Sequence, residues 1–268
     1  MRKVVKSTFI GIGALALSTL AIQASDIFNG IEGSLTGSLS ETVSVCGEGA
    51  TLIQLASNGL CVDNFEAGIA DTCPNQETKT AADTSLNLLE KNCRPVSRKD
   101  VLPWRFVSLT EAQQLCARVD KRLPSNDEWY KISLALNDQS NCVTNTGQPQ
   151  NTGSTECKTS AGIYDLVGNV WEWVDGSVTE GRYADRELPE AGYIQMVDNN
   201  GVVVETGSEP NTTFGEDYAW INKNGVFGII RGGFYGGESD AGIFSQNLAV
   251  PFDLRTTGLG FRCVKDIN

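Results

Sequence analysis

Two stretches in the middle of the chain repeat apolar residues at helical spacing, each behind a capping signal. Ser108 with Glu111 forms one Ser-x-x-Glu capping box, and Ser125 with Glu128 forms another. Each box is followed by a one-sided face with the period of an amphipathic helix. The first face contains Ala112, Leu115, Cys116 and Val119, and the second contains Trp129, Ile132, Ser133 and Leu136. The sequence therefore predicts two helices.

The flanking regions have the pattern of short strands and turns. The segment CVDNFE, residues 61–66, alternates apolar and polar positions as a strand does, whereas residues 71–97 are polar and predict a loop. After Leu136, short strand-like runs are separated by glycine-rich turns. Because no repeat and no boundary follows residue 60, we expect one irregular α+β domain over residues 58–268, with two helices and short strands.

The N-terminal residues have the pattern of an export signal. Residues 1–24 carry a basic start, an apolar run and small residues at the end, which is typical of a cleaved signal peptide. The apolar run from Phe9 to Ile22 is shorter than the roughly 20 residues that span a bilayer. We therefore expect no transmembrane segment after cleavage. Residues 25–57 are rich in Ser, Thr and Gly and are expected to form a polar lead-in, either a stalk or an edge strand.

Composition narrows the chemistry that the domain can perform. The net charge is −12, so nucleic acid is an unsuitable partner and bound cations are favoured. The chain contains no histidine, which excludes Ser-His-Asp triads, Cys-His dyads and histidine-ligated zinc or iron centres. The hydrophobic content of 40% is enough for one large core.

All eight cysteines lie after the signal segment, which indicates disulfides in an oxidising compartment outside the cytoplasm. A zinc cluster is the alternative, but the chain has neither a Cys-x-x-Cys pair nor a histidine to complete one. Pairing among the first four cysteines is left open by their spacing. Our expectation is Cys46 with Cys61 and Cys73 with Cys93.

Four motifs occur in an order that resembles one known family. They are CVDNFE at 61–66, KRLPSNDEW at 121–129, GIYDLVGNVWEW at 162–173, and RGG at 231–233 closing with GFRC at 260–263. Together they resemble the formylglycine-generating enzyme, or sulfatase-modifying factor, family. The resemblance covers roughly residues 58–266 and implies an elaborated C-type-lectin-like fold.

The resemblance implies a calcium site and a disulfide. The calcium ligands would be side-chain oxygens of Asp165 and Glu172 and main-chain oxygens of Gly168 and Val170, and hard oxygen donors at this spacing suit Ca²⁺. The alternative is that the two tryptophans beside Glu172 are core residues and that Glu172 caps a turn. The family's bridge between its first helix and the terminal GFRC maps to Cys116 and Cys263, and we expect Cys142 and Cys157 then to close the local loop between them.

The catalytic part of the resemblance fails. The family's oxidase activity depends on two cysteines that hold Cu(I) shortly after the RGG motif, and these positions are Gly237 and Gly242 here. The iron-dependent branch of the superfamily needs histidine ligands, and the chain has none. We therefore expect neither copper nor inherited catalysis and assign no catalytic residue.

The segment from 234 to 257 is expected to form a binding face instead. It resembles the variable proteins of diversity-generating retroelements, which mutate residues within a similar glycine-rich frame. Its exposed-looking residues are Tyr235, Glu238, Ser239, Asp240, Ser245, Asn247, Asp253, Arg255, Thr256 and Thr257. An ordinary solvated loop is the alternative.

These observations predict an exported, disulfide- and calcium-stabilised recognition module that binds an unknown protein or small ligand through residues 234–257. One alternative is a formylglycine-generating oxidase acting on a cysteine of a sulfatase-like substrate. Another is a structural envelope subunit that associates through the polar segment at 25–60. The role of residues 175–227 is not readable from the pattern.

Overall fold

The structure is a computed structural model that describes residues 45–55 and 58–267. The expected signal peptide at 1–24 and most of the expected lead-in lie outside these residues. Three α-helices are present in the described part of the chain: α1 (Ala81–Leu89), α2 (Leu109–Ala117) and α3 (Asn126–Ser133). None of these helices is long and apolar enough to cross a bilayer.

Both helices predicted from capping boxes are confirmed. Ser108 is the N-cap of α2, and its backbone N–H donates to Glu111 Oε2 at 2.9 Å. Ser125 is the N-cap of α3, and its backbone N–H donates to Glu128 Oε2 at 2.8 Å. The side chains therefore satisfy backbone groups that a helix start leaves without partners.

The prediction of a polar loop over residues 71–97 is wrong, because α1 lies within it. The backbone N–H of Thr80 donates to Asp83 Oδ2 at 2.8 Å, which caps the helix. The helix buries Thr84 and Asn87 rather than apolar residues. Without an apolar face, the segment lacks the periodicity by which sequence reasoning recognises a helix.

The strands form two small sheets and one large sheet. The first small sheet has the order β1-β2-β14 and the second pairs β3 with β4; the large sheet has the order β7-β6-β5-β11-β12-β10-β8-β9, with β13 pairing with β5. The strand bounds are β1 (Ala50–Leu55), β2 (Asn58–Asp63), β3 (Ala67–Ile69), β4 (Pro95–Ser97), β5 (Trp171–Thr179), β6 (Arg182–Tyr183), β7 (Arg186–Glu187), β8 (Gly192–Val197), β9 (Val203–Gly207), β10 (Tyr218–Ile221), β11 (Val226–Arg231), β12 (Gln246–Val250), β13 (Leu259–Phe261) and β14 (Val264–Ile267). Strand β1 is an edge strand that lies within the segment expected to be a polar lead-in.

Consecutive residues of the large sheet belong to different hydrophobic clusters. Trp173 and Ile230 are paired across β5 and β11 and pack in a cluster with α2, whereas Val174 and Ile229 pack in the cluster with Trp129 of α3. This alternation is the strand pattern in which successive side chains point to opposite faces. The expected α+β class with short strands is therefore confirmed, with one helix more than expected.

All eight cysteines are paired. The bridges are Cys46–Cys61, Cys73–Cys93, Cys116–Cys263 and Cys142–Cys157. Each of the pairings stated above is present. The bridge from α2 to the C-terminal strands joins residues 147 positions apart, so it fixes the chain's end to its first predicted helix.

Candidate functional site

A buried ion pair between Glu172 and Arg262 lies at the start of β5. Arg262 Nε donates to both carboxylate oxygens of Glu172 at 2.8 Å, and one terminal nitrogen donates to Oε1 at 2.5 Å. Trp129 of α3 also donates its Nε1–H to Glu172 Oε2 at 2.7 Å. Both charged side chains are almost fully buried. The GNVWEW and GFRC motifs are thus joined by one charge pair.

Two further carboxylates face this pair. Glu66 accepts hydrogen bonds from Val170 N at 3.1 Å and Asn169 Nδ2 at 2.5 Å. Asp165 accepts one from Gly153 N at 2.6 Å. Burial, together with the charges of Asp165 and Glu172, holds the pKa of Glu66 well above its usual value.

Burial also raises the pKa of Asp165 to about 6, although the Gly153 N–H and the charge of Arg262 act in the opposite direction. Three buried carboxyl groups therefore share one guanidinium. If all of them are ionised, the cluster carries excess negative charge, which a proton or a bound cation can neutralise.

Three of the four residues predicted to hold calcium, Asp165, Gly168 and Val170, lie in the turn before β5, and the fourth, Glu172, is the second residue of β5. Asp165 and Gly168 have left-handed backbone conformations, with φ of 57° and 76°. A side chain at Gly168 would collide with the backbone of Val143, so the turn requires glycine there. Among the described residues, no group of three His, Cys, Asp or Glu side chains is arranged to hold a metal. The Glu172 oxygens are bonded to Arg262 and Trp129, and the calcium site stays a prediction.

The loop after β11 contains the two glycines at the positions of the family's copper ligands. A side chain at Gly237 would approach Ala241 Cβ at 3.1 Å and the Phe234 carbonyl oxygen at 3.2 Å. A side chain at Gly242 would collide with the carboxylate of Asp217. Gly242 therefore has no room for a thiol in this arrangement of the loop.

Asp217 bonds the backbone of this loop. Its Oδ2 accepts from Phe244 N at 2.8 Å and Ser245 N at 3.1 Å, while its buried Oδ1 has no hydrogen-bond partner. Burial raises the pKa of Asp217 to about 7, against the lowering effect of these hydrogen bonds and of the charge on Arg231.

Arg231 is fully buried against the aromatic side of α3. Its guanidinium carbon lies 5.1 Å from the Trp129 ring centroid and 5.9 Å from that of Tyr130. One terminal nitrogen donates to the Ile243 carbonyl at 3.0 Å. Desolvation lowers its pKa to about 10. Arg231 and Asp217 thus both hold the C-terminal end of the loop, through the backbone of residues 243–245.

The residues of the expected binding face differ in their exposure. Asp253 and Glu238 are exposed, and Asp240, Asn247 and Arg255 are partly exposed. The side chain of Ser239 lies outside what the structure describes. Thr256 and Thr257 are partly exposed as well.

Two expectations about this face are wrong. Tyr235 is only 9% exposed, because its backbone is bonded to Asn169 and its ring packs 5.1 Å from Phe234. Ser245 is fully buried and its hydroxyl donates to the Asp240 carbonyl. In glycine-rich segments of this kind, composition indicates a surface but not which side chains turn inward.

Sequence reasoning assigned no role to Glu66 or Asp217. Glu66 ends the CVDNFE motif, and its place in that motif is the one signal that the sequence offers. Its burial is visible only in the fold. Asp217 lies in the segment 175–227, to which the sequence pattern assigned no role. It is distant from Gly242 along the chain, and only the fold brings the two residues together.

Comparison with known proteins identifies the family. Residues 61–267 match the family described as "Sulfatase-modifying factor enzyme 1-like domain". A curated bovine (Bos taurus) protein named "Inactive C-alpha-formylglycine-generating enzyme 2" is 27% identical over 146 residues, which is 44% of this chain and 48% of the relative. The chain thus spans about half the length of the curated relative it matches.

Several solved structures are similar at low identity. The Major Tropism Determinant I1 variant has a TM-score of 0.44 and 14% identity, covering 82% of this chain and 53% of the other. PvdO from Pseudomonas aeruginosa has a TM-score of 0.43 and 15% identity, covering 78% and 81%. Treponema denticola variable protein 1 has a TM-score of 0.43 and 13% identity, covering 80% and 98%.

Proposed function

The chain belongs to the family of sulfatase-modifying factor enzyme 1-like domains, and we propose that it is a non-catalytic recognition module of that family. It binds a protein or small ligand through the surface formed by residues 234–257. The rival function is a formylglycine-generating oxidase acting on a cysteine of a sulfatase-like protein.

The state of the cysteines carries this proposal. All eight are bonded to one another in four disulfides, and no free thiol remains. Cu(I) binding of the family's type needs two thiolates, and Gly237 and Gly242 stand where they would be. With no histidine in the chain, a histidine-ligated iron centre also lacks its donors.

Asp217 adds an independent argument. Its carboxylate occupies the space into which a side chain at Gly242 would project. Restoring a cysteine at 242 would therefore require the loop to move as well. The inactive bovine relative supports the same interpretation, although the chain covers only 48% of it.

We propose that Ca²⁺ neutralises the buried carboxylate cluster. Asp165 and Glu172 would hold it with side-chain oxygens, and Gly168 and Val170 with main-chain oxygens, and the ion would supply two positive charges to a site with excess negative charge. The donors are the hard oxygens that Ca²⁺ prefers. Glu172 would share its carboxylate between the ion and Arg262.

Chelation tests the calcium site. We expect EDTA to lower the melting temperature by about 5 °C or more, and added Ca²⁺ to restore it, because a ligand that binds only the folded state stabilises it. Glu172→Gln should melt at the same temperature with and without EDTA. The comparison is made within each variant, since Glu172→Gln also weakens the pair with Arg262. A wild-type melting temperature that is the same with and without EDTA would contradict the calcium site.

The four disulfides suggest an extracytoplasmic or lumenal location, and we propose export directed by residues 1–24. Mass spectrometry of the secreted protein should show a mature N-terminus close to residue 25.

A copper titration tests the proposed function. Protein purified under oxidising conditions should contain no alkylatable thiol and should not remove Cu(I) from a chromophoric competitor. Stoichiometric Cu(I) binding by the non-reduced protein would contradict the recognition module and favour the oxidase.

A further inference from the structure

One face of the large sheet is covered by the cluster with α2 at β5 and β11, and it is partly exposed at β12 and β10. Trp173, Ile230, Asn247 and Trp220 are neighbours across β5, β11, β12 and β10. The first two are buried in the cluster with α2, whereas Asn247 and Trp220 are partly exposed. The α2 side of the sheet is therefore left partly open beyond β11.

Four aromatic rings form a row, and we name them the aromatic strip: Tyr193, Tyr218, Trp220 and Trp171. The first three are on β8 and β10, in this open part, and Trp171 is the first residue of β5. Neighbouring ring centroids are 5.3, 4.9 and 5.7 Å apart in that order. The contacts are tilted or edge-to-face, with interplanar angles of 81°, 49° and 87°. All four side chains are partly exposed.

Contact between such an array of rings and water is unfavourable in free energy, and a ligand that packs on the rings would remove that contact. Aromatic side chains bury large areas, and contiguous partly exposed rings mark binding surfaces more often than scattered ones do. Asn247, a residue of the expected binding face, lies directly opposite Trp220 in the sheet. The strip therefore adjoins the proposed recognition surface.

A groove of about 560 Å³ runs beside Trp220. Its lining combines the indole of Trp220 and the small apolar Ala249 with the amides of Asn222 and Asn224 and the charged Glu190 and Lys223. Lys223 Nζ lies 3.0 Å from Glu190 Oε1, so the two charged residues of the groove pair with each other. The amide-bearing Asn222 and Asn224 are exposed.

We propose that the aromatic strip and the groove beside Trp220 bind a neutral saccharide chain. A pyranose ring has one apolar C–H face that packs on an indole or phenol ring. Its rim of hydroxyls both donates and accepts hydrogen bonds, and asparagine amides supply both functions. Lys223 pairs with both Glu190 and Glu187, so the one cation here is already neutralised and no free positive charge is left to select an anionic ligand.

The same observations argue against a proline-rich peptide. Such a peptide offers mainly carbonyl acceptors and few donors, so it would leave the exposed amide oxygen of Asn224 without a donor. The Asn222 amide oxygen already accepts from Asn224 N at 3.0 Å, and Glu190 is paired with Lys223. Saccharide hydroxyls satisfy both kinds of group. The row of four rings also suits a ligand that presents repeated apolar faces.

This inference rests on the proposed recognition function and names the ligand class for the surface next to 234–257. The two are separable, because the recognition function fails if Cu(I) binding appears, whereas the saccharide site fails if no saccharide binds. The probes are maltohexaose, cellohexaose, mannohexaose and chitohexaose, with a polyproline peptide as the competing class. Binding is measured by calorimetry and by tryptophan fluorescence.

We expect at least one of the four saccharides to bind with a Kd of about 1 mM or tighter and to shift the tryptophan emission. Trp220→Ala should weaken that binding about tenfold or more, while Trp220→Phe retains part of it. Asn224→Ala changes an exposed amide and should weaken binding without affecting the fold.

The control is Leu89→Ala, which removes an exposed apolar side chain at the end of α1 and should leave saccharide affinity unchanged. If none of the four saccharides binds the folded wild-type protein, the inference is wrong. It is also wrong if the polyproline peptide alone binds, or if saccharide binding is indifferent to both Trp220→Ala and Asn224→Ala.

Discussion

Arg262 illustrates how single buried charges organise this domain. Besides its pair with Glu172, it donates to the Asp63 carbonyl at 3.0 Å and to the Tyr164 carbonyl at 2.8 Å. The GFRC motif could be read from the sequence, whereas the set of partners could not, because they lie 90 or more positions away along the chain.

Replacing Arg262 with leucine should destabilise the domain by about 3–5 kcal/mol, because it leaves buried carboxylates without their cation. Urea unfolding measures the change. Arg98→Leu is the matched control, since it breaks an exposed pair with Asp71 and should leave the midpoint unchanged. Equal effects of the two variants would contradict the assigned role of Arg262.

Asp217 should make stability depend on pH. Its pKa is raised from 3.8 to about 7 in the folded state, so the folded protein binds this proton more tightly than the unfolded chain does. The stabilisation is present below about pH 4 and is lost as the pH rises to about 7.

Asp217→Asn removes this titration. The stability of the variant relative to wild type should therefore increase between about pH 4 and pH 7, by about 3–4 kcal/mol in total. Denaturant midpoints at a series of pH values measure the difference. A constant gap between the two proteins across that range would refute the assignment.

At the level of elements, local signals predicted the helices that have apolar faces. The boxes at Ser108 and Ser125 gave the starts of α2 and α3, whereas α1 buries Thr84 and Asn87 and so escaped the pattern. The order of strands in the large sheet could not be predicted, because pairs such as β10 with β12 join segments separated by an intervening strand.

Ser125→Ala should cost about 1 kcal/mol of folding stability, because the hydroxyl accepts from Glu128 N at the start of α3. Ser85→Ala is the control, since that exposed hydroxyl bonds only within α1. The effect is measured by thermal unfolding. If Ser125→Ala is as stable as Ser85→Ala, the cap contributes nothing to α3.

At the scale of the whole molecule, the resemblance supplied the long-range disulfide and the position of the missing copper ligands. It did not supply the position of Asp217 beside Gly242 or the aromatic strip, because both depend on how residues 175–227 pack against the segments that carry the family motifs. The sequence shows directly that the cysteine and histidine ligands of the family's metal centres are missing. It does not show which surface binds a ligand, because that depends on which side chains the fold brings together.

The disulfides Cys116–Cys263 and Cys142–Cys157 should differ in their contribution to stability. Replacing Cys116 and Cys263 with alanine opens a loop of 147 positions and should cost about 5 kcal/mol, against about 3 kcal/mol for Cys142 and Cys157, whose separation is 15. Unfolding under non-reducing conditions compares the two double variants. The reverse order would contradict a stabilisation that depends on loop length.

The central claim is that this domain recognises a ligand and has no oxidase activity. It is tested most directly by incubating the purified protein with Cu(I), oxygen and a sulfatase-type cysteine peptide, and following oxygen uptake and peptide mass. We expect no uptake above the buffer and no loss of the thiol from the peptide. Repeated conversion of cysteine to formylglycine by this protein would contradict the account.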